Sequence, residues 1–74
     1  MKALTLINQL KEYYNSDRFH FDMNISMFLS GPHNKGLRVE VMQAITGQKL
    51  PATKCGLHAV SDALKNSFEQ LTMF

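Results

Sequence analysis

The chain has one cysteine, no tryptophan, two prolines and four glycines in 74 residues. With Cys55 alone, no intramolecular disulfide can form, so stability must come from the apolar core and a reducing compartment, cytoplasmic or nuclear, fits. Charge is nearly balanced. Eight Lys and Arg stand against six Asp and Glu, a formal net charge of +2, which permits a nucleic-acid partner without requiring one. No apolar run approaches the roughly 18 residues that would cross a bilayer. The opening Met1-Lys2-Ala3-Leu4-Thr5-Leu6-Ile7 meets polar residues too soon for a signal peptide, so no membrane partner is expected. Internal repeats, low-complexity tracts and linkers are missing too. The chain reads as one domain over residues 1–74, because a chain this short buries only about 60% of its unfolded surface and cannot support two cores. What is present suffices to fold: 45% hydrophobic residues with 19% charged is ordinary for a globular protein.

Ala3, Leu6, Ile7, Leu10 and Tyr14 recur at helical spacing and predict an amphipathic first helix from Lys2 to Tyr14. Asn15-Ser16-Asp17, whose side chains compete for backbone hydrogen bonds, should stop it. From Phe19 to Ser30 the period changes. Met23, Ile25, Met27 and Leu29 alternate with Asn24, Ser26, Phe28 and Ser30, as in a half-buried strand with Phe28 the exception. Turn formers fill Gly31-Pro32-His33-Asn34-Lys35-Gly36, and Leu37, Val39 and Val41 then alternate with Arg38, Glu40 and Met42, which predicts an antiparallel hairpin. A second turn at Thr46-Gly47-Gln48 leads to Lys49-Leu50-Pro51-Ala52-Thr53, an expected edge strand because proline cannot donate to the ladder. From Gly56 onward Leu57, Val60, Leu64, Phe68 and Leu71 form one stripe of a final helix, with Ala63 and Ser67 as small neighbours. The expected fold class is therefore α+β: α-β-β-β-α, a three-stranded antiparallel sheet with two helices packed on one face.

That order of elements resembles the double-stranded-RNA-binding domain over nearly the whole chain. The sharpest likeness is Gly31-Pro32-His33-Asn34-Lys35-Gly36-Leu37, which looks like the family's first hairpin loop. Ile7-Asn8-Gln9 resembles the RNA-facing step of the family's first helix, and Ala59, Ala63, Leu64, Ser67 and Phe68 fall where the family has a small, apolar packing face. The family's lysine cluster at the start of its second helix is replaced by Gly56-Leu57-His58-Ala59-Val60. The first loop is one residue shorter between Pro32 and His33, Leu37 stands for the usual aromatic, and the second hairpin is longer.

The resemblance implies a binding module that recognises duplex RNA by shape, not an enzyme, with no cofactor and no metal. Thr5, Asn8 and Gln9 would meet one minor groove. Pro32, His33, Asn34 and Lys35 would meet the next, with His33 inserted, while Lys54 and His58 would approach phosphate. With so few cations, binding is expected to be weak. The salt slope should be shallow: two phosphate contacts lose about tenfold in affinity between 50 and 200 mM salt.

The same residues have plainer readings. Thr5, Asn8 and Gln9 fit a solvated helix face, and Gly, Pro and Asn in the loop fit a turn. A protein-protein or dimerisation module on the same fold is the main alternative, with the final helix and the edge strand as the surface and Leu57 or Val60 supplying apolar contact. A third is a small inhibitor or regulator unrelated to that family, since fold does not fix function. Cys55 and His58 make only half of a zinc site, and as a nucleophilic pair they lack an orienting third group. Among the methionines, Met23 and Met27 are expected in the core, with Met42 and Met73-Phe74 as exposed apolar surface.

Overall fold

Phe21, Ile25, Phe28 and Leu29 also stand at i, i+4, i+7 and i+8, the spacing of one helix face. In the computed structural model they form a helix. The structure describes residues 2–72, and of Lys2, Leu71 and Thr72 the backbone only. Four α-helices follow one another: α1 (Lys2–Ser16), α2 (Phe21–Leu29), α3 (Lys35–Thr46) and α4 (Leu57–Thr72). Short 3₁₀ turns at Pro32–Asn34 and Ala52–Lys54 precede α3 and α4. Among the described residues there is no strand, so the expected α+β fold, with its α-β-β-β-α order and three-stranded sheet, is replaced by an all-helical one.

The reason lies in positions that the two periods share. Ile25 and Leu29 satisfy both a strand alternation and a helix stripe, so they decide nothing. Met23 and Met27, which the alternation would bury, are 67% and 71% exposed, whereas Phe21 is buried and Phe28 half-buried. In α3, Val41 and Met42 are both buried although adjacent. A one-sided strand sends neighbours to opposite faces; a helix accommodates both near the middle of a broad apolar face. The Lys49–Thr53 segment is extended at Pro51, with φ −65° and ψ 153°. It then curls: the Lys54 and Cys55 amides donate to the Pro51 and Ala52 carbonyls at 2.9 and 3.1 Å.

The outer helices follow the sequence closely. α1 buries Ala3, Leu6, Leu10 and Tyr14, and α4 buries Val60, Leu64 and Phe68. α1 runs two residues beyond Tyr14, and the Ser16 hydroxyl donates back to the Glu12 carbonyl at 2.9 Å, which satisfies an end group of the helix. α3 is rich in β-branched Val39, Val41 and Ile45, weak helix formers, so its packing against α1 and α4 rather than propensity keeps it helical. It ends at Gly47, φ 78°, whose amide donates to the Gln43 carbonyl at 2.8 Å in a left-handed cap.

The core lies between all four helices. At one end Tyr14, Phe21 and Phe68 pack as three rings, with centroids 4.9 Å (Tyr14–Phe21), 5.6 Å (Tyr14–Phe68) and 5.8 Å (Phe21–Phe68) apart. The Tyr14 hydroxyl leaves the core to donate to Glu69 at 2.9 Å, and the Arg18 guanidinium covers the ring at 4.6 Å. Cys55 is buried. Of the methionines, Met42 belongs to the core and Met23 and Met27 to the surface, the reverse of the sequence expectation. Met73-Phe74 lies outside the described residues.

Candidate interaction surface

Arg38 organises the end of the molecule where most of the sequence-selected residues sit. Its Nη1 donates to the carbonyls of Leu29 at 2.6 Å and Gly31 at 2.8 Å, and its Nε to that of Cys55 at 3.1 Å. The guanidinium fork therefore joins the end of α2, the turn after it and the approach to α4. Pro32, His33 and Lys35 are exposed beside this junction, and Lys54 arrives there as the chain neighbour of Cys55. Asn34 is half-buried, its Nδ2 donating to the Ser30 carbonyl at 2.7 Å. The wording of the loop has a conformational cause. Gly31 sits at φ 92° and ψ 155°, a region nearly closed to side-chain-bearing residues, and Pro32 opens the 3₁₀ turn. The segment joins two helices and does not close a hairpin. Thr5, Asn8 and Gln9 are exposed on α1, a separate element, and His58 is exposed on α4.

His58 lines a groove between α2 and α4, about 370 Å³ in volume, with Asp22, Ile25, Ser26, Leu57, Ser61, Asp62 and Lys65. Three of its polar groups bond one another. Lys65 Nζ lies 2.7 Å from Asp22 Oδ1, and the Ser61 hydroxyl donates to the same oxygen at 3.2 Å. The Lys65 hydrogen bond is the main reason the Asp22 carboxyl is held below its usual range, and the same bond holds the Lys65 ammonium above its own. Ser61 thus bonds a carboxylate and not an imidazole, which is not the arrangement of an activated nucleophile. Cys55 is buried while His58 is exposed, so the two do not share a surface. Among the described residues no three His, Cys, Asp or Glu side chains are placed to hold a metal ion. A shallower cleft of about 290 Å³ between α3 and α4 is lined by Ile45, Thr46, Ala63, Asn66, Ser67 and Gln70.

No protein-family model, curated protein or solved structure matches this chain.

The feature of α2 that stands apart is its outer face. Six of its nine residues are apolar, and Phe21, Ile25 and Leu29 already supply the buried stripe. Met23 and Met27 form a second stripe one helical turn apart, 67% and 71% exposed. Phe19, four residues before Met23, is 89% exposed. It stands in the turn into α2, where the Phe21 amide donates to the Arg18 carbonyl at 3.3 Å. Asp17 sets that turn: its Oδ2 lies 2.7 Å from His20 Nδ1, and its Oδ1 accepts from the His20 amide at 3.3 Å. The side-chain bond from His20 is the main reason the Asp17 carboxyl is held below its ordinary range. The Phe19 ring leans edge-on against His20, 4.9 Å between centroids.

The sequence reading missed this surface because it placed Met23 and Met27 on a buried strand face. The signal was present: Phe19, Met23 and Met27 share a spacing of four, offset by two from Phe21, Ile25 and Leu29. One short helix cannot bury both stripes against the same core.

Proposed function

We propose that this protein is a protein-binding module that works through the outer face of α2. The observation that carries the reading is the exposed row Phe19, Met23 and Met27. Three large side chains at these exposures present on the order of 400 Å² of apolar surface, taking about 200 Å² for each whole side chain. A patch of that size lies in the range of the largest apolar patch of a typical monomer, which is often functional. Methionine suits the role, since its flexible thioether adapts to the surface it meets. Within α2 the one charged residue is Asp22, and Lys65 of α4 contacts it at 2.7 Å. Duplex-RNA recognition in the manner of the family that the sequence resembles has less to stand on, because the loop carrying His33 connects helices and only Lys35 and Lys54 of the expected cations flank it.

Site-specific photo-crosslinking in cells tests the reading. A benzophenone side chain replacing Met23 should give a discrete higher-mass adduct, and the same group replacing exposed Gln43 on α3 should not. No adduct from position 23, or equal adducts from both positions, would contradict it.

A further inference from the structure

The fold sorts the sulfur-bearing side chains that the structure describes. Cys55, at 1% exposure, and Met42, at 5%, are enclosed in the core, whereas Met23 and Met27 stand 67% and 71% exposed, one turn apart on α2. We infer that Met23 and Met27 are paired sites of reversible oxidation by hydroperoxides, through which the outer face of α2 turns from apolar to polar while the fold is kept. The thioether sulfur attacks the terminal peroxide oxygen; the S–O bond forms as the O–O bond breaks, and the sulfur gives up two electrons. The proton of that oxygen passes to the departing one, which leaves as water or an alcohol. Thiol-dependent sulfoxide reduction consumes the product: two thiols supply two electrons and two protons, the oxygen leaves as water, and a disulfide remains. A thiol would ordinarily compete for the peroxide, but burial makes a cysteine inert, and the Cys55 Sγ is enclosed 3.9 Å from the Leu50 carbonyl oxygen.

The contacts that hold α2 involve neither sulfur. Phe21, Ile25 and Leu29 form its buried stripe, and the Leu29 carbonyl accepts from Arg38 at 2.6 Å. The Phe28 ring stacks on Tyr13, 6.0 Å between centroids, and Asp22 is bonded by Lys65 at 2.7 Å and Ser61 at 3.2 Å. A sulfoxide at position 23 or 27 faces solvent and leaves each of these in place. At Met42 the same oxygen would be buried among apolar side chains, where a polar group without a partner is destabilising. The fold therefore separates the sulfurs that can cycle from those whose oxidation would disrupt the core. The inference goes beyond the docking role and stands on exposure alone, whatever meets the row.

Timed exposure of the full chain to hydrogen peroxide, followed by tryptic peptide mass spectrometry, tests this directly. Cleavage at Arg18 and Lys35 releases residues 19–35 with both α2 methionines, cleavage at Arg38 and Lys49 releases residues 39–49 with Met42, and Met1 and Met73 fall in other peptides. Peptide 19–35 should gain two oxygens, one on each methionine, at least about tenfold faster than peptide 39–49 gains one, with Cys55 unmodified. In concentrated urea the three methionines should react at similar rates, because exposure sets the order. The chain oxidised at positions 23 and 27 should keep its circular dichroism, elute earlier from a native hydrophobic-interaction column, and return to the starting mass with methionine sulfoxide reductases and dithiothreitol. Met23→Leu/Met27→Leu should fold alike and lose the fast phase. Oxidation of Met42 or Cys55 as fast as that of Met23 and Met27, loss of helical signal when only those two are oxidised, or failure of the reductases to remove the oxygens overturns the proposal. Absence of a crosslink from position 23 would contradict the docking role without touching these outcomes.

Discussion

Arg38 holds three main-chain oxygens from three segments, at 2.6, 2.8 and 3.1 Å, in a partly buried position. Hydrogen bonds to a charged group are each worth about 1.5–3 kcal/mol, and removing the donor leaves carbonyls without their partner. Arg38→Ala should therefore cost about 2–4 kcal/mol, read as the shift in urea midpoint at constant slope. Arg38→Lys should recover little of it, because a single ammonium cannot span the fork. A loss under about 0.5 kcal/mol would show that the junction is held by something else. Tyr14 gives a second test. Burial, and after it the hydrogen bond to Glu69, pushes its phenol above the ordinary value of 10.0. The unfolded chain then ionises first, so the Tyr14 contribution is complete below about pH 10 and is lost as pH rises through the folded pKa. Between about pH 9 and about pH 11.5, wild-type stability should fall more steeply than that of Tyr14→Phe; parallel curves would refute the assignment.

The helices differ in how far the sequence reveals them. α1 and α4 span 15 and 16 residues, long enough for a 3.6-residue stripe to separate from any alternation, and their buried apolar residues all belong to the stripe, with Ile7 and Leu57 half-buried at its margin and Ser61 buried beside it. α2 and α3 span 9 and 12 residues, contain β-branched side chains, and flank a Gly-Pro turn. Over such lengths the positions i, i+4 and i+8 fit either period, and only tertiary packing separates them. The turn misled for a related reason. Glycine at positive φ, proline at the first helical position and a bonding asparagine are needed equally by a helix-helix connection and by a hairpin. Of the candidate site residues, His33 and Lys35 were read into one region and Lys54 with His58 into another, whereas Arg38 brings the segments of Gly31 and Cys55 together; the α2 face was hidden by the period it shares with a strand. Two substitutions separate the periods. Met42→Ala, in the core, should cost about 2–4 kcal/mol, and Met27→Ala, on the surface, less than about 0.5 kcal/mol in monomeric protein. The strand alternation requires the opposite order, and denaturant titration of both variants decides it.

Among the described residues, four helices close one core, and Phe19, Met23 and Met27 are exposed outside it. A domain of this size is marginally stable, because a small core must offset the conformational entropy of the whole chain. A partner that covers the row adds stability by mass action, so the melting temperature should rise with the concentration of that partner. In the polar α2–α4 groove, by contrast, Asp22 is bonded by both Lys65 and Ser61.

The claim that the outer face of α2 is the contact surface is tested most directly by methionine methyl resonances followed as clarified lysate of the host cell is added. With methyl-labelled methionine in the purified chain, Met23 and Met27 should shift or broaden together as the lysate is titrated in. Met42, buried in the core, should stay in place and serve as the internal reference. Static Met23 and Met27 signals, or a Met42 signal that moves with them, would contradict the account.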